Sequence, residues 1–330
     1  LLLVVSVFPL TAEAQQQFTE SVEMPDGILL ETEVWLPAGS EPFPTVLVRT
    51  PYGRLDPGGV NVPLYLQEEY AVVSQDIRGT GDSQGDWYFN SDDDTDGHAT
   101  IEWIAQQTWS NGNVGMVGRS ALGATQSALA QGAPEALKCL APAHESSDRY
   151  HHIVFPGGSY FYDLVHNWLA REGFLHLEPD LLQHRLWDSW WEDHLDWIGS
   201  PGTINVPMFH MGRWYDFAQR GPLKAFRIIE HQGGPDAVGN QYLLMDPLDH
   251  FNDFGPYQHP PSPIPFEELR RQLEIDWLAY WLKGEATGVD TWPKARIYVM
   301  GPINEPGAPG NEWVEVDDWP PPANNKTCLL

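Results

Sequence analysis

A serine in a sharp-turn context is the residue best suited to covalent chemistry. Gly118-Arg119-Ser120 ends the strand-like run 113–118 and precedes a run of small residues, 121–131, that is typical of a helix. A strand, a G-x-S turn and a helix expose a serine hydroxyl at the end of a sheet. The strict G-x-S-x-G pattern is broken, because Leu122 takes the place of the second glycine and Gly123 follows. The surrounding elements, more than the short motif, predict Ser120 as a nucleophile.

A serine hydroxyl needs a base and an acid that orients the base. In the α/β-hydrolases, whose nucleophile stands on a turn of this kind, both follow the serine, acid before histidine, each just after a strand. Asp216 in GRWYDF and His250 in DPLDHF stand at such positions. Two histidines compete with His250, since His210 lies inside a strand-like run and His259 in a Pro-rich segment. Two further acids are weaker candidates because they follow the same strand as His250: Asp246 and Asp249.

The segments around these residues alternate between strand-like and helix-like patterns, which predicts an α/β domain with a mostly parallel sheet. Short continuous apolar runs suit strands that are covered on both faces, and they lie at 45–50, 70–76, 113–118, 206–212, 241–246 and 295–301. Two more strands, around 20–23 and 29–36, flank the turn signature Pro25-Asp26-Gly27. Helices are predicted over 92–107, 121–131 and 266–283.

Between residues 146 and 203 the chain becomes helix-compatible and rich in aromatic residues: Trp168, Trp187, Trp190, Trp191 and Trp197. This predicts a helical cap, in which most tryptophans pack helices and one or two line the pocket. The chain then divides into a first part of the core at 18–145, the cap at 146–203, and a second part of the core at 204–300.

The composition excludes several classes of partner. The chain has 18 Lys plus Arg against 46 Asp plus Glu, a formal net charge of −28, which disfavours nucleic acid and membrane surfaces. Its two cysteines, Cys139 and Cys328, follow no metal-binding pattern, and a disulfide and two buried thiols both stay open. The acidic run 92–96 is interpreted as a solvated helix start, so no metal and no cofactor is expected.

The first 14 residues, LLLVVSVFPLTAEA, are typical of the apolar part of a secretory signal with an A-x-A site at Ala12-Glu13-Ala14. The run is too short to span a bilayer. We therefore interpret 1–14 as a signal-peptide remnant and expect a secreted or periplasmic protein. Because neither an initiator Met nor a basic region precedes the run, we expect the natural chain to start earlier.

Five segments together resemble the family of cocaine esterases, X-prolyl dipeptidyl peptidases and α-amino acid ester hydrolases. In chain order they are PDGILLETEVWLP, LVRTPYG, QDIRGTGDSQGDW, WSNGNVGMVGRSALGATQ and MGRWYDF. The resemblance runs from about residue 18 to 320. It implies an α/β-hydrolase fold and a serine hydrolase that cleaves small esters, amides or short peptides through an acyl-enzyme.

The resemblance also implies a role for five residues. Ser120 matches the family's nucleophile, Asp216 the acid of its G-W-Y-D segment, and His250 the histidine after the next strand. The family's oxyanion hole uses the hydroxyl of a T-P-Y tyrosine, which matches Tyr52, and the backbone N–H after the nucleophile, which belongs here to Ala121. Two fixed donors of this kind stabilise the charge that grows on the carbonyl oxygen.

The chain departs from the family's pattern in four places. Ala121 replaces a tyrosine that usually follows the nucleophile, and Arg213 replaces a glycine that often precedes W-Y-D. DPLDHF stands where relatives tend to have G-P-W-x-H. Relatives also carry a C-terminal β-sandwich (jelly-roll) domain, and we expect residues 301–330 to be a linker and the start of such a domain, which is absent or cut off.

Two functions compete with an ester hydrolase. An X-prolyl dipeptidyl peptidase needs an anionic pocket for a free amino terminus, which the sequence does not locate, so the esterase is favoured. A catalytically inactive binding relative that kept the fold is the alternative of another class.

Overall fold

The computed structural model describes residues 16–195, 197–251, 265–302, 305 and 307–321. Three features predicted from the sequence lie outside these residues: the signal segment 1–14, His259 and Cys328. The described residues form a ten-stranded sheet with the order β1-β2-β4-β3-β5-β6-β7-β8-β9-β10. The strands are β1 (Gln16–Glu23), β2 (Leu29–Leu36), β3 (Phe43–Thr50), β4 (Ala71–Asp76), β5 (Ser110–Arg119), β6 (Leu137–Ala143), β7 (Met208–Arg213), β8 (Gln241–Asp246), β9 (Ala295–Val299) and β10 (Glu312–Val316).

The centre of the sheet is parallel and both of its edges are antiparallel. Strands β4, β3, β5, β6, β7, β8 and β9 pair in parallel. At one edge β2 runs antiparallel to β4 and β1 to β2, and at the other edge β10 runs antiparallel to β9. Because the parallel strands all point the same way, the residues that follow them meet at one edge of the sheet.

Helices cover both faces of this sheet. The longer helices are α1 (Val62–Gln67), α2 (Asp93–Ala105), α3 (Ala121–Leu129), α4 (Tyr162–Arg171), α5 (Glu178–Gln183), α6 (Ser189–Leu195), α7 (Arg220–Gln232) and α8 (Phe266–Leu278). Short π or 3₁₀ segments are Tyr150–Val154, Pro156–Gly158, Leu175–Leu177, Pro201–Thr203, Ala279–Lys283 and Val289–Thr291. Among the helices of the described residues, none is long and apolar enough to cross a membrane.

Alternation along β3 shows why its central residues, 46–48, are apolar at successive positions. Leu47 joins the core on the α2, α3 and α7 side, whereas Val46 and Val48 join the core on the α1 and α8 side. Successive residues of a strand point to opposite faces, so a strand covered on both faces carries apolar residues in continuous runs and not at alternate positions. The parallel sheet with flanking helices that the sequence predicts is confirmed.

Helices α4, α5 and α6 pack with α3 around a separate aromatic cluster. Trp191 is fully buried there and Trp197 nearly so, while Trp187 is 37% exposed. Most of the tryptophans in 146–203 therefore pack helices, as expected. The division of the chain into core and cap stays a prediction.

The described part of residues 301–330 contains a strand that the expected linker does not include. Residues 312–316 form β10, which pairs with β9 and extends the sheet beyond residue 300. Trp313 of this strand contacts Tyr298 and Phe266. This part of the segment therefore belongs to the sheet, and the sequence analysis missed the strand because EWVEV is too short and too polar to stand out.

Candidate active site

Ser120 lies on the turn between β5 and α3, in a conformation that non-glycine residues rarely adopt. Its φ is 58° and its ψ is −120°. Two glycines make room for the turn. Gly118 has a φ of 140°, and a Cβ there would lie 2.6 Å from the Leu122 Cβ; a Cβ on Gly123 would lie 2.9 Å from the Glu145 Cγ. Gly123, one position later than the second glycine of the strict motif, therefore still allows α3 to pack closely against the segment after β6.

Ser120, His250 and Asp216 form a continuous chain of hydrogen bonds. The His250 Nε2 lies 3.0 Å from the Ser120 Oγ, and the His250 Nδ1 lies 2.9 Å from the Asp216 Oδ2. The Asp216 Oδ1 accepts the backbone N–H of Ala218 at 2.7 Å. Because a carboxylate only accepts hydrogen bonds, Nδ1 carries the proton and Nε2 is left to accept the serine proton. The arrangement can activate a hydroxyl for attack on a carbonyl carbon.

The sheet explains how three distant segments meet. Ser120 follows β5, Asp216 follows β7, and His250 follows β8, and these strands are parallel with only β6 between β5 and β7. The His250 ring is further held by Phe217, whose ring stacks on it with centroids 4.3 Å apart. Asp216 is 2% exposed and His250 9% exposed, so water competes little for their hydrogen bond.

The rival candidates have other partners. His210 is buried within β7 and bonds to the Gln241 Oε1 at 2.9 Å, and burial lowers its pKa to about 4. Asp246 lies 3.4 Å from the Arg213 Nε, and burial raises its pKa to about 6. The Asp249 carboxylate accepts the Phe251 N–H at 3.0 Å. None of these three shares the hydrogen-bond chain of Ser120.

Arg213 connects the strand before Asp216 to the loop that carries His250. Its side chain is fully buried, its Nη1 donates to the Asp249 backbone oxygen at 2.7 Å, and it pairs with Asp246 and with Glu267 of α8. In the sequence Arg213 was only a departure from a family pattern. In the structure it holds the backbone of Asp249, the residue before His250. This role could not be predicted from the sequence, because the sequence does not show which loops lie side by side.

The Tyr52 hydroxyl is contacted by a residue of helix α4. The Trp168 Nε1–H of α4 donates to the Tyr52 oxygen at 3.0 Å. Burial raises the pKa of Tyr52, so its hydroxyl stays neutral. An oxygen that already accepts the indole proton directs its own proton elsewhere. Tyr52 and Ala121 pack against the same cluster beside β5, and the N–H of Ala121, first residue of α3, has no partner within the helix.

A cavity of about 90 Å³ opens beside Ser120 and Ala121. Its walls are mainly apolar and come from the segment after β4, from α4 and from the turn after Asp216: Trp87, Phe89, Val165, Trp168, Leu169 and Phe217. Of the cap tryptophans, Trp168 is the one on this wall. The space suits a short organic group attached to a carbonyl that faces Ser120.

Three polar residues after β6 also line the cavity, and the sequence analysis did not identify them: His144, Glu145 and Arg149. The two ring nitrogens of His144 have no hydrogen-bond partner among the described residues, and burial, with the Arg213 charge, lowers its pKa well below the usual range. Burial raises the pKa of Glu145 to about 7, although the Ser127 hydroxyl donates to its Oε1 at 2.8 Å. A prediction of β6 would have placed all three at the sheet edge.

Comparison with known proteins gives the same architecture. A family described as X-Pro dipeptidyl-peptidase (S15 family) matches residues 26–180. The cocaine esterase of Rhodococcus sp. (strain MB1 Bresler) is 27% identical, covering 91% of this chain and 59% of that protein. A CocE/NonD family hydrolase from Staphylococcus aureus has a TM-score of 0.76 at 22% identity, covering 92% of this chain and 56% of its own. An aminopeptidase from a marine sediment archaeon, Thaumarchaeota archaeon, has a TM-score of 0.75 at 21% identity, covering 95% and 60%.

These matches confirm the family resemblance predicted from the sequence and the α/β-hydrolase fold that it implies. The chain spans slightly more than half the length of these relatives, from 56% to 60%. The described residues hold no group of three or more His, Cys, Asp or Glu arranged to bind a metal ion.

The raised pKa of Glu145 predicts a pH-dependent stability. Between about pH 4.5 and 7 the folded protein keeps a proton that the unfolded chain releases, so stability falls as the pH rises through this range. Relative to wild type, Glu145→Gln should gain on the order of 3 kcal/mol in unfolding free energy between pH 4.5 and 8. Denaturant unfolding at both pH values measures this difference. Glu20→Gln, at an exposed position of β1, is the control, and an equal gain in both variants would contradict the prediction.

Proposed function

We propose, since the chain is a relative of the cocaine esterases and X-Pro dipeptidyl peptidases with their α/β-hydrolase fold, that it is a serine hydrolase. It cleaves ester or amide bonds of small molecules through an acyl-enzyme. The hydrogen-bond chain from Ser120 through His250 to Asp216, at a strained turn beside a cavity, is the observation that carries the proposal. Secretion is a separate proposal that rests on residues 1–14, and sequencing the amino terminus of the exported protein tests it.

In the proposed reaction the Ser120 Oγ attacks the carbonyl carbon while the His250 Nε2 takes its proton. Asp216 orients the ring and stabilises the imidazolium that forms. Negative charge grows on the carbonyl oxygen, where the Tyr52 hydroxyl and the Ala121 N–H donate. The tetrahedral intermediate then collapses and expels the leaving group, which receives the proton from His250. Water repeats the sequence on the acyl-enzyme and frees the acid.

Trp168 is a positioning residue in this scheme. Without a donor on its oxygen, the Tyr52 hydroxyl can rotate and offer its proton in several directions. The Trp168 indole N–H occupies an acceptor site of that oxygen, so the proton is directed away from Trp168. A preoriented donor costs little reorganisation when charge develops.

Peptide hydrolysis is the second candidate, supported by the family match and by a carboxyl group, Glu145, in the cavity wall. Recognition of a free amino terminus needs an available anion. Burial holds the pKa of Glu145 near 7, and the Arg149 guanidinium faces the same cavity. Arg149 would repel an ammonium group, so the ester or amide of an acid without a free amino group fits better.

Ser120→Ala should abolish hydrolysis and labelling by a fluorophosphonate, because both need the serine oxygen. The expected loss in kcat is about 10⁴-fold or more. Hydrolysis of short p-nitrophenyl esters and mass spectrometry of the labelled protein measure the two effects. The matched control, Ser159→Ala, changes an exposed serine outside the cavity wall and should keep both properties. A folded Ser120→Ala protein with a tenth of normal activity would remove Ser120 from the reaction, and a wild-type protein that never labels would indicate an inactive binding relative.

Tyr52→Phe should lower kcat by roughly 10²–10³-fold with little change in KM, because its hydroxyl acts mainly on the charged intermediate. Trp168→Phe keeps an aromatic ring but removes the N–H, and should lower kcat by about 2- to 10-fold, the worth of one neutral hydrogen bond. In the Tyr52→Phe background Trp168→Phe should cost nothing further in kcat, since its acceptor is gone.

Trp190→Phe is the control for this cycle, because the Trp190 Nε1 donates to the Tyr88 oxygen at 3.3 Å outside the cavity wall. It should leave kcat near normal. Additive losses in the double variant Tyr52→Phe/Trp168→Phe would show that Trp168 acts on the reaction by another route than the tyrosine hydroxyl.

A further inference from the structure

Arg149 places a cation in the wall of the cavity, and no carboxylate of the described residues forms a salt bridge with it. It lies just before the Tyr150–Val154 turn and lines the cavity together with Ser120 and Ala121. Its close contact is with the Trp197 ring, whose centroid lies 5.6 Å from the guanidinium carbon. Among the described residues no carboxylate lies within salt-bridge distance of it and no acceptor bonds to its nitrogens.

The other enclosed arginines of the chain are all matched with carboxylates. Each of the following has at least one carboxylate oxygen within 4.0 Å: Arg49, Arg54, Arg78, Arg213 and Arg270. This pattern follows from the cost of burying an unpaired charge. Arg149 departs from the pattern in the wall of the cavity beside Ser120, where an outside molecule can supply the missing anion.

Glu145 interacts electrostatically with Arg149 but forms no salt bridge with it. Its Oε1 accepts the Ser127 hydroxyl, and its Oε2 is enclosed with no hydrogen-bond partner among the described residues. It lies beyond salt-bridge distance of Arg149. The remaining walls of the cavity are mainly apolar, and the guanidinium is a cationic group that lines it together with Ser120.

We propose that Arg149 binds a carboxylate carried by the acyl part of the substrate, and that the preferred substrates are half-esters or half-amides of short dicarboxylic acids. A guanidinium matches a carboxylate with two parallel hydrogen bonds. The apolar walls accept the methylene groups between the two ends, and a cavity of about 90 Å³ limits their number. The inference rests on the proposed function, because it takes Ser120 as the group that attacks the other end of the molecule.

Two esters of equal length test the inference. Monomethyl glutarate ends in a carboxylate and methyl pentanoate ends in a methyl group, and both release methanol on hydrolysis. The wild-type protein should prefer monomethyl glutarate by roughly 10- to 100-fold in kcat/KM, the worth of a hydrogen bond to a charged group. Equal use of the two esters, or a preference for methyl pentanoate, would overturn the inference without any variant.

Arg149→Met should reduce the ratio of the two kcat/KM values to about one or below, and Arg149→Lys should restore part of it. The ratio cancels any general loss of activity. Arg185→Met removes an exposed arginine outside the cavity and should leave the ratio unchanged. A ratio that Arg149→Met leaves intact would show that another group selects the carboxylate.

Binding separates this inference from the proposed function. The Ser120→Ala protein should bind monomethyl glutarate in calorimetry, and Ser120→Ala/Arg149→Met should bind it at least tenfold more weakly. If Ser120→Ala still hydrolyses esters while Arg149→Met abolishes binding, the serine assignment fails and the carboxylate site stands. If Ser120→Ala and Ser120→Ala/Arg149→Met bind monomethyl glutarate equally, while Ser120 of the wild-type protein is labelled by the fluorophosphonate, the carboxylate site is wrong and the hydrolase assignment stands.

Discussion

A non-glycine residue held at a φ of 58° and a ψ of −120° costs on the order of 1–3 kcal/mol, so the turn at Ser120 persists only because its neighbours hold it. The Ser120 N–H donates to the Ala143 oxygen at 2.9 Å, which ties the turn to the end of β6. From α3, Gln126 donates to the Gly118 oxygen at 3.2 Å and accepts the Ala141 N–H at 3.0 Å. Buried side chains of α3 thus fasten the helix to both strands, and the serine hydroxyl is fixed where the sheet ends.

The position of the base, His250, also depends on residues at the ends of neighbouring strands. His250 follows β8 in a loop that lacks the G-P-W-x-H pattern of relatives, yet its ring is held by Asp216, Phe217 and Ser120. Arg213 bridges β7 to this loop through the Asp249 backbone oxygen. A buried arginine that pairs with two carboxylates is strongly coupled to its surroundings, so the altered loop and the added arginine are best understood together.

The sequence predicts those strands and site residues that are marked by a pattern of neighbouring residues in the chain. Continuous apolar runs such as 241–246 mark strands covered on both faces, and β8 has those bounds. Strand β6 was missed because Lys138 and Pro142 interrupt LKCLAPA, although its position between β5 and β7 buries most of it. Helix α7 was not predicted because the pair Gly221-Pro222 is typical of a segment that interrupts helices. A proline in the first turn of a helix is nevertheless tolerated. Arg149 and Glu145 follow β6, so missing that strand hid them.

Charge links the fold to the site. The chain has 18 basic against 46 acidic residues, and several of its arginines lie inside the protein, each next to a carboxylate that would otherwise be buried alone. An anionic substrate approaching such a surface is repelled, but at physiological salt the repulsion is screened beyond about 8 Å. Inside the cavity the nearest charges dominate, because the Coulomb energy between two charges falls with their distance. Under the inference above, the Arg149 guanidinium attracts the substrate carboxylate there, so selection by charge is a property of the cavity and not of the surface.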